Sequence, residues 1–190
     1  MSEAVTLRTP VYPADGARAR RLAEMIRVDH AGEYGAVQIY RGQRAVFMAA
    51  PGKERVAAML GEMEAGEQSH LETFDRLIAE RGVRPTLFAP LWRIAGFSLG
   101  AATALMGEKA AHACTAAVEE VIEQHYAEQA EALGDTDPAL RETILRFRAD
   151  EIAHKDTAIA EGAHDAPGHK ALSAVIKFGC RLAIKVSEKL

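Results

Sequence analysis

The sequence predicts an all-α fold: a four-helix bundle with one long crossover and an additional amphipathic helix at the C-terminus. Three observations carry that expectation. The chain is rich in alanine, holds only 6% aromatic residues and shows no stretch of strand-like alternation, a balance that favours helix. Long segments of helical apolar period are separated by Pro and Gly breaks. The pair Glu67-x-x-His70 recurs as Glu151-x-x-His154, and residues three apart share one face of a helix.

Taken in order, residues 1–16 hold two prolines and no periodicity and read as an extended tail. Residues 17–190 read as a single domain, long enough to bury a full core. The first helix starts near Ala17, with Leu22, Ile26, Val37 or Ala36, Tyr40 and Phe47 inward, and ends at Pro51-Gly52. Asp29 and Glu33 fall in the same inward stripe, an informative violation, since carboxylates seldom occupy a core position alone. The second helix spans about Lys53 to Arg81, with Val56, Leu60 or Met59, Met63, Phe74 and Leu77 in phase with Glu67 and His70. Gly82 and Pro85 stop it.

Residues 86–92 read as the connection between helix pairs. A third helix is expected from about Arg93 to Leu133, with a kink near Gly96, Gly100 or Gly107. It carries Glu119, Ile122 and Tyr126 on one face, which favours Glu119 over Glu120 as the inward carboxylate. Asp137-Pro138 is a cap and first-turn signal for a fourth helix that aligns Leu140, Ile144, Phe147, Glu151 and His154. A turn over 162–168 leads to a last helix over roughly 169–189.

Charge and cysteine content exclude several classes. The net charge of −4 argues against a nucleic-acid binder. Residues 170–190 depart from it, with Lys170, Lys177, Arg181, Lys185 and Lys189 against Glu188 alone. Cys114 and Cys180 form no disulfide framework or thiolate metal motif and read as free thiols of a reducing compartment. The N-terminus has neither a secretory nor an Arg-rich transit pattern. The uncharged run Ile94–Gly107 is 14 residues, short of the ~20 that a membrane-spanning helix needs.

The chemistry lies in a repeat. Glu33 precedes Glu67 by 34 residues, and Glu119 precedes Glu151 by 32. Two single glutamates from two helices, with a Glu-x-x-His pair from each of two others, form the ligand set of a dinuclear carboxylate site in a helix bundle. One Glu-x-x-His among seven histidines is weak evidence; two on inward stripes, each with an upstream inward glutamate, are not readily produced by chance. An oxygen-rich set with one imidazole per metal suits iron or manganese, with open positions for dioxygen favouring iron. Asp29 and His30 stand one turn before Glu33 and are candidates to hydrogen-bond a ligand from behind. His112, His164 and His169 read as surface or packing residues, and Met59 and Met63 as core filler.

The segment Arg27-Val28-Asp29-His30-Ala31-Gly32-Glu33-Tyr34-Gly35-Ala36 closely resembles the opening motif of the demethoxyubiquinone hydroxylase family of ubiquinone biosynthesis. The resemblance continues through Arg84-Pro85-Thr86, Pro90-Leu91-Trp92, Ala117-Val118-Glu119-Glu120, His125-Tyr126, Phe147-Arg148 and Gly179-Cys180-Arg181, covering about residue 21 to the C-terminus. It implies a ferritin-like fold with Glu33, Glu67, His70, Glu119, Glu151 and His154 as ligands of two iron ions per chain. It further implies that His125 and Tyr126 serve catalysis, as a pair near the site linked to electron delivery and substrate.

The implied reaction is hydroxylation of a 2-polyprenyl-3-methyl-6-methoxy-1,4-benzoquinol, with O2 as co-substrate and NADH as ultimate electron donor. No dinucleotide fingerprint is present, so NADH would bind without a Rossmann fold or act through a partner. The first 20 residues do not match mitochondrial leaders, which points to a bacterial member, peripheral on the cytoplasmic face of the cell membrane. Lys177, Arg181 and Lys185 form a basic stripe on the last helix, opposite Leu172, Val175, Leu182 and Val186, and read as membrane-facing. Accessory proteins of the pathway and a homo-oligomer are further expected partners. Two rivals stand beside this reading. A ferritin- or rubrerythrin-like iron oxidase or peroxide scavenger would share the site but lack an apolar channel. A helical interaction module would pair its inward carboxylates with Lys or Arg, and the stripes hold few of these.

Overall fold

The computed structural model describes residues 13–189, and these form six α-helices with no strand among them. They are α1 (Pro13–Met48), α2 (Glu54–Arg81), α3 (Ala89–Leu105), α4 (Glu108–Leu133), α5 (Pro138–Ala160) and α6 (His169–Lys189), with a short 3-10 turn at Ala163–Asp165. The helix starts earlier than the sequence suggested. Pro13 opens α1, at a position where its missing N–H leaves no hydrogen bond unmade. Residues 13–16 of the expected tail are therefore helical, and residues 1–12 lie outside the described residues.

Local chemistry sets the boundaries. Gly82 closes α2 in the left-handed conformation, φ 62°, and its N–H returns to the Ile78 carbonyl. Asp137 caps α5 by accepting the Leu140 N–H at 3.0 Å, with Pro138 following in the first turn. The expected single helix from Arg93 to Leu133 is instead two. Gly107 adopts φ 112°, a conformation that glycine alone enters freely, and the chain turns there between α3 and α4. The connection over 86–92 is correspondingly shorter, because α3 begins at Ala89.

The bundle consists of α1, α2, α4 and α5, with α1 packed on α2 and α4 packed on α5. One apolar cluster fills one end, with Ile26, Phe74, Leu133, Leu140, Ile144 and Phe147. Tyr40, Phe47, Val56, Leu60 and Met63 fill the other. The Glu and His positions fall between these clusters along α1, α2 and α4, and on α5 they follow Ile144 and Phe147 of the first. α3 lies along the outside of α1, and α6 packs across α4 and α1. Backbones of α1 and α3 touch: a Cβ on Gly42 or Gly100 would overlap the partner helix's main chain at Phe97 or Ile39. No helix among the described residues is long and apolar enough to cross a membrane.

Candidate metal centre

Six side chains meet in the middle of the bundle. Glu33 from α1, Glu67 and His70 from α2, Glu119 from α4, and Glu151 and His154 from α5 form two overlapping groups. Glu33, Glu67, His70 and Glu151 bring one ligand atom each within 4.8 Å of one another; Glu67, Glu119, Glu151 and His154 do the same. Glu67 and Glu151 belong to both groups. All four glutamates are at most 1% exposed. Glu119, not Glu120, is the inward residue of its pair.

Hydrogen bonding sorts these glutamates into two kinds. Tyr126 donates its hydroxyl to Glu33 Oε1, and Tyr40 donates to Glu119 Oε1 at 2.6 Å. Each of these carboxylates keeps its other oxygen buried and unpartnered, whereas Glu67 and Glu151 have both oxygens unpartnered. His70 Nδ1 and His154 Nδ1 are likewise buried without a hydrogen bond. His154 Nδ1 lies 2.8 Å from Glu67 Oε1, and His70 Nδ1 lies 3.3 Å from Glu151 Oε1.

A single buried polar group without a partner costs roughly 2–7 kcal/mol, and eight such atoms in one core are a set that a bound cation would satisfy. The donor set fits two: a shared pair of two-oxygen carboxylates, with one further carboxylate oxygen and one imidazole on each side. Burial is the first cause of the titration behaviour here. It pushes Glu67 and Glu151 well above the usual carboxylate range, reinforced by the neighbouring glutamates, and raises Glu119 to about 7. Burial and then the nearby carboxylates push the Tyr40 and Tyr126 phenols up, so both remain protonated donors. Burial alone would lower His70, but the Glu33 and Asp150 carboxylates outweigh it and its net shift is upward. His154 is shifted downward, burial being the largest cause.

The residues expected behind the ligands fall differently. His30 Nε2 bonds Asp75 at 3.0 Å and makes no hydrogen bond to the six clustered side chains. Asp29 accepts from Gln129 at 2.7 Å and stands 3.4 Å from His125 Nε2, so it organises His125 instead of touching Glu33. Its carboxyl is raised by burial, against the lowering pull of His125. Tyr126 does contact the cluster, through Glu33. Sequence reasoning missed two contacts. Tyr40 sits in the apolar stripe of α1, yet it follows Glu33 by seven residues as Tyr126 follows Glu119, and that equal spacing is the available signal. Asp150, adjacent to Glu151, accepts a hydrogen bond from His70 Nε2 at 3.1 Å across the bundle. Of the remaining histidines, His112 is fully buried, His169 half-buried and His164 exposed.

On the far side of α1 and α4 lies an apolar groove of about 430 Å³, walled by α1, α3, α4 and α6 through residues such as Gly35, Ile39, Leu99, Ile122, Ile176 and Ala183. Gly32 and Val118 also line it, and each is the residue before a cluster glutamate, Glu33 or Glu119. The groove and the cluster therefore lie at one level of the bundle, on opposite faces of the same two helices. Exposed Leu91, Ile94 and Phe97 of α3 and exposed Phe178 and Leu182 of α6 lie outside it, whereas the exposed Val175 is part of its lining. The last helix thus differs from the expected pattern. Its inward stripe is Ser173, Ile176 and Ser187, while Val175 and Leu182 face solvent. Lys177 pairs with Glu120 at 2.7 Å and turns towards the bundle, leaving Arg181 and Lys185 exposed.

Residues 20–187 match the family described as ubiquinone biosynthesis protein COQ7. The chain is 50% identical to the 3-demethoxyubiquinol 3-hydroxylase of Rhodospirillum rubrum, over 94% of this chain and 82% of the relative. It is 42% identical to the human mitochondrial NADPH-dependent 3-demethoxyubiquinone 3-hydroxylase, over 98% of this chain and 86% of that protein. A Caenorhabditis elegans relative of the same name is 40% identical, over 91% and 92% of the two chains. The chain belongs to the COQ7 family, and its all-helical bundle accords with the ferritin-like fold the sequence implied.

Proposed function

We propose that this member of the COQ7 family is a di-iron monooxygenase that hydroxylates a polyprenylated methoxybenzoquinol, the step named in its relatives. The observation that carries it is the pair of overlapping four-residue groups sharing Glu67 and Glu151. Glu33 and His70 would hold one iron, Glu119 and His154 the other, and Glu67 and Glu151 both. When bound, the irons supply dioxygen activation and one-electron redox steps. In the net reaction one oxygen atom enters a ring C–H bond and the other leaves as water. Two electrons come from a reduced nicotinamide; the human relative's name specifies NADPH, where the sequence suggested NADH.

The chain's own residues orient and enclose this chemistry. Tyr40 and Tyr126 fix the terminal carboxylates so that one oxygen of each points into the cluster. Asp29 holds His125 beside Tyr126, which supports a role for that pair in moving charge towards Glu33. The apolar groove suits an isoprenoid chain and keeps water from the rear of α1 and α4. The exposed apolar residues of α3 and α6, flanked by Arg181 and Lys185, suit a peripheral seat on an anionic bilayer surface, where such a substrate resides. The groove also favours this reading over an iron oxidase, which has no lipid to accommodate.

The test is anaerobic iron loading followed by turnover of a short-tailed demethoxyubiquinone with reduced nicotinamide. Two irons per chain and oxygen-dependent hydroxylation are expected. Two irons with iron oxidation alone would favour the iron oxidase, and absence of bound metal would overturn both.

A further inference from the structure

We infer that the two sides of the cluster are unequal metal subsites, and that the Glu33–His70 side fills first and binds more tightly. The inference rests on the metal reading above and concerns the groups behind the histidines. His70 Nε2 stands 3.1 Å from an Asp150 carboxylate oxygen. A carboxylate there accepts the Nε2–H, which fixes the tautomer and leaves the lone pair on Nδ1, the atom that faces Glu33, Glu67 and Glu151. Phe147 stacks on the same ring, with centroids 3.9 Å apart and planes 24° apart, so the imidazole is held by both its edge and its face.

His154 has neither support. Only its Nδ1 is directed at carboxylates, and Nε2 has no hydrogen-bond partner among the described residues. Its side chain is 16% exposed against 4% for His70. Its aromatic neighbour is Tyr40, edge-on at 6.2 Å.

The repeat explains the difference. Asp150 immediately precedes Glu151, and it reaches from α5 to the histidine of α2. The matching position on α2, immediately before Glu67, is Gly66. A Cβ built on Gly66 would lie 3.4 Å from His154 Cε1 and Nε2, so position 66 stands against His154 as position 150 stands against His70. One half of the repeat carries the orienting carboxylate and the other carries a hydrogen atom. The half-exposed Asp150 can be altered without opening the core.

The test is an anaerobic titration of metal-free protein with Co(II), read by ligand-field absorption, and with Mn(II), read by its magnetic resonance signal. The wild type should bind in two resolved steps. His70→Ala should remove the tighter step and His154→Ala the weaker. Asp150→Asn should weaken the tighter step by about 10- to 100-fold, the usual effect of losing an outer partner of a metal histidine. It should leave the weaker step and the helical circular dichroism unchanged. Gly66→Asp should narrow the gap between the steps, and Gly66→Ala should not. Two indistinguishable steps in the wild type would overturn the inference. So would an Asp150→Asn variant that weakens both steps alike or neither, or a gap unchanged by Gly66→Asp. Failure to bind any metal would instead overturn the metal reading itself, and this inference with it.

Discussion

Helices α1 and α4 each present two opposed environments, and the contrast between them explains the molecule. Towards α2 and α5 they direct Glu33, Tyr40, Glu119 and Tyr126 into a buried core crowded with carboxyl groups. Towards α3 and α6 they direct Gly32, Gly35, Ile39, Val118 and Ile122 into an apolar groove. The first face carries the cost of unpartnered buried polar atoms, which bound cations would offset; the second is apolar and suits hydrocarbon. Function on this reading needs both at the same level of the bundle, because a membrane-soluble ring must come near a metal pair that water does not reach.

The largest effect should come from breaking the shared ligands of the polar face. Glu151→Ala removes a carboxylate common to both groups, so it should abolish stable dinuclear loading and lower turnover by more than the roughly 100-fold ceiling typical of outer-partner changes. Metal analysis and initial rates would check this, and full hydroxylation by that variant would refute the ligand assignment. The same position separates metal-bound from metal-free behaviour. In the metal-free protein burial and the neighbouring glutamates keep Glu151 protonated, at a cost in stability above pH 4.5 that Glu151→Gln removes, so the metal-free variant should melt higher than the metal-free wild type.

The groove face should respond in the opposite sense. A Cβ on Gly35 meets nothing within 4 Å, so Gly35→Leu would project into the groove without disturbing the helix contact. Iron content and melting temperature should be preserved, while KM for a prenylated substrate rises by roughly 10- to 200-fold, the range for an altered hydrophobic pocket.

Metal-free protein offers a smaller but signed effect. Glu67, Glu119 and Glu151 hold their protons to higher pH when folded than the ordinary value of 4.5, with Glu119 near 7. Above 4.5 the unfolded chain has released protons that the folded chain retains, so stability falls as pH rises through about 7. His70, also raised, acts in the same direction, and His154, lowered, opposes it. Thermal scans of metal-free protein between pH 5 and 8 should show a declining melting temperature. Metal loading should remove or reverse that slope, because bound cations favour the ionised carboxylates. A metal-free protein that gains stability over this range would contradict the buried-charge account.

The smallest change in folding should accompany the exposed apolar residues outside the groove. Phe178→Ser with Ile94→Ser should alter stability by only about 0.5 kcal/mol, as exposed sites do, yet reduce co-sedimentation with anionic vesicles. Undiminished vesicle binding would remove α3 and α6 from the proposed membrane seat.

Much of this was legible in one dimension. A Glu-x-x-His repeat on inward stripes specifies which residues can meet, because helical period alone brings i and i+3 to one face and burial excludes unpaired carboxylates. Helix ends marked by Gly82 and Asp137-Pro138 were equally local, since a cap is chemistry among near neighbours. The break at Gly107 was readable only as one of three glycines, for nothing in sequence says which of them takes a positive φ.

Tertiary structure decided what depends on contacts between helices. It divided the glutamates into a shared pair and a tyrosine-held pair, since that division is set by which hydroxyl reaches which oxygen across the bundle. It turned Lys177 inward to Glu120 and left Val175 and Leu182 exposed, because only the docking of α6 on α4 fixes which of its stripes is covered. It also set Asp150 behind His70 and Gly66 behind His154. Periodicity fixes the face of a residue on its own helix. The partner across the core is fixed by how the helices pack.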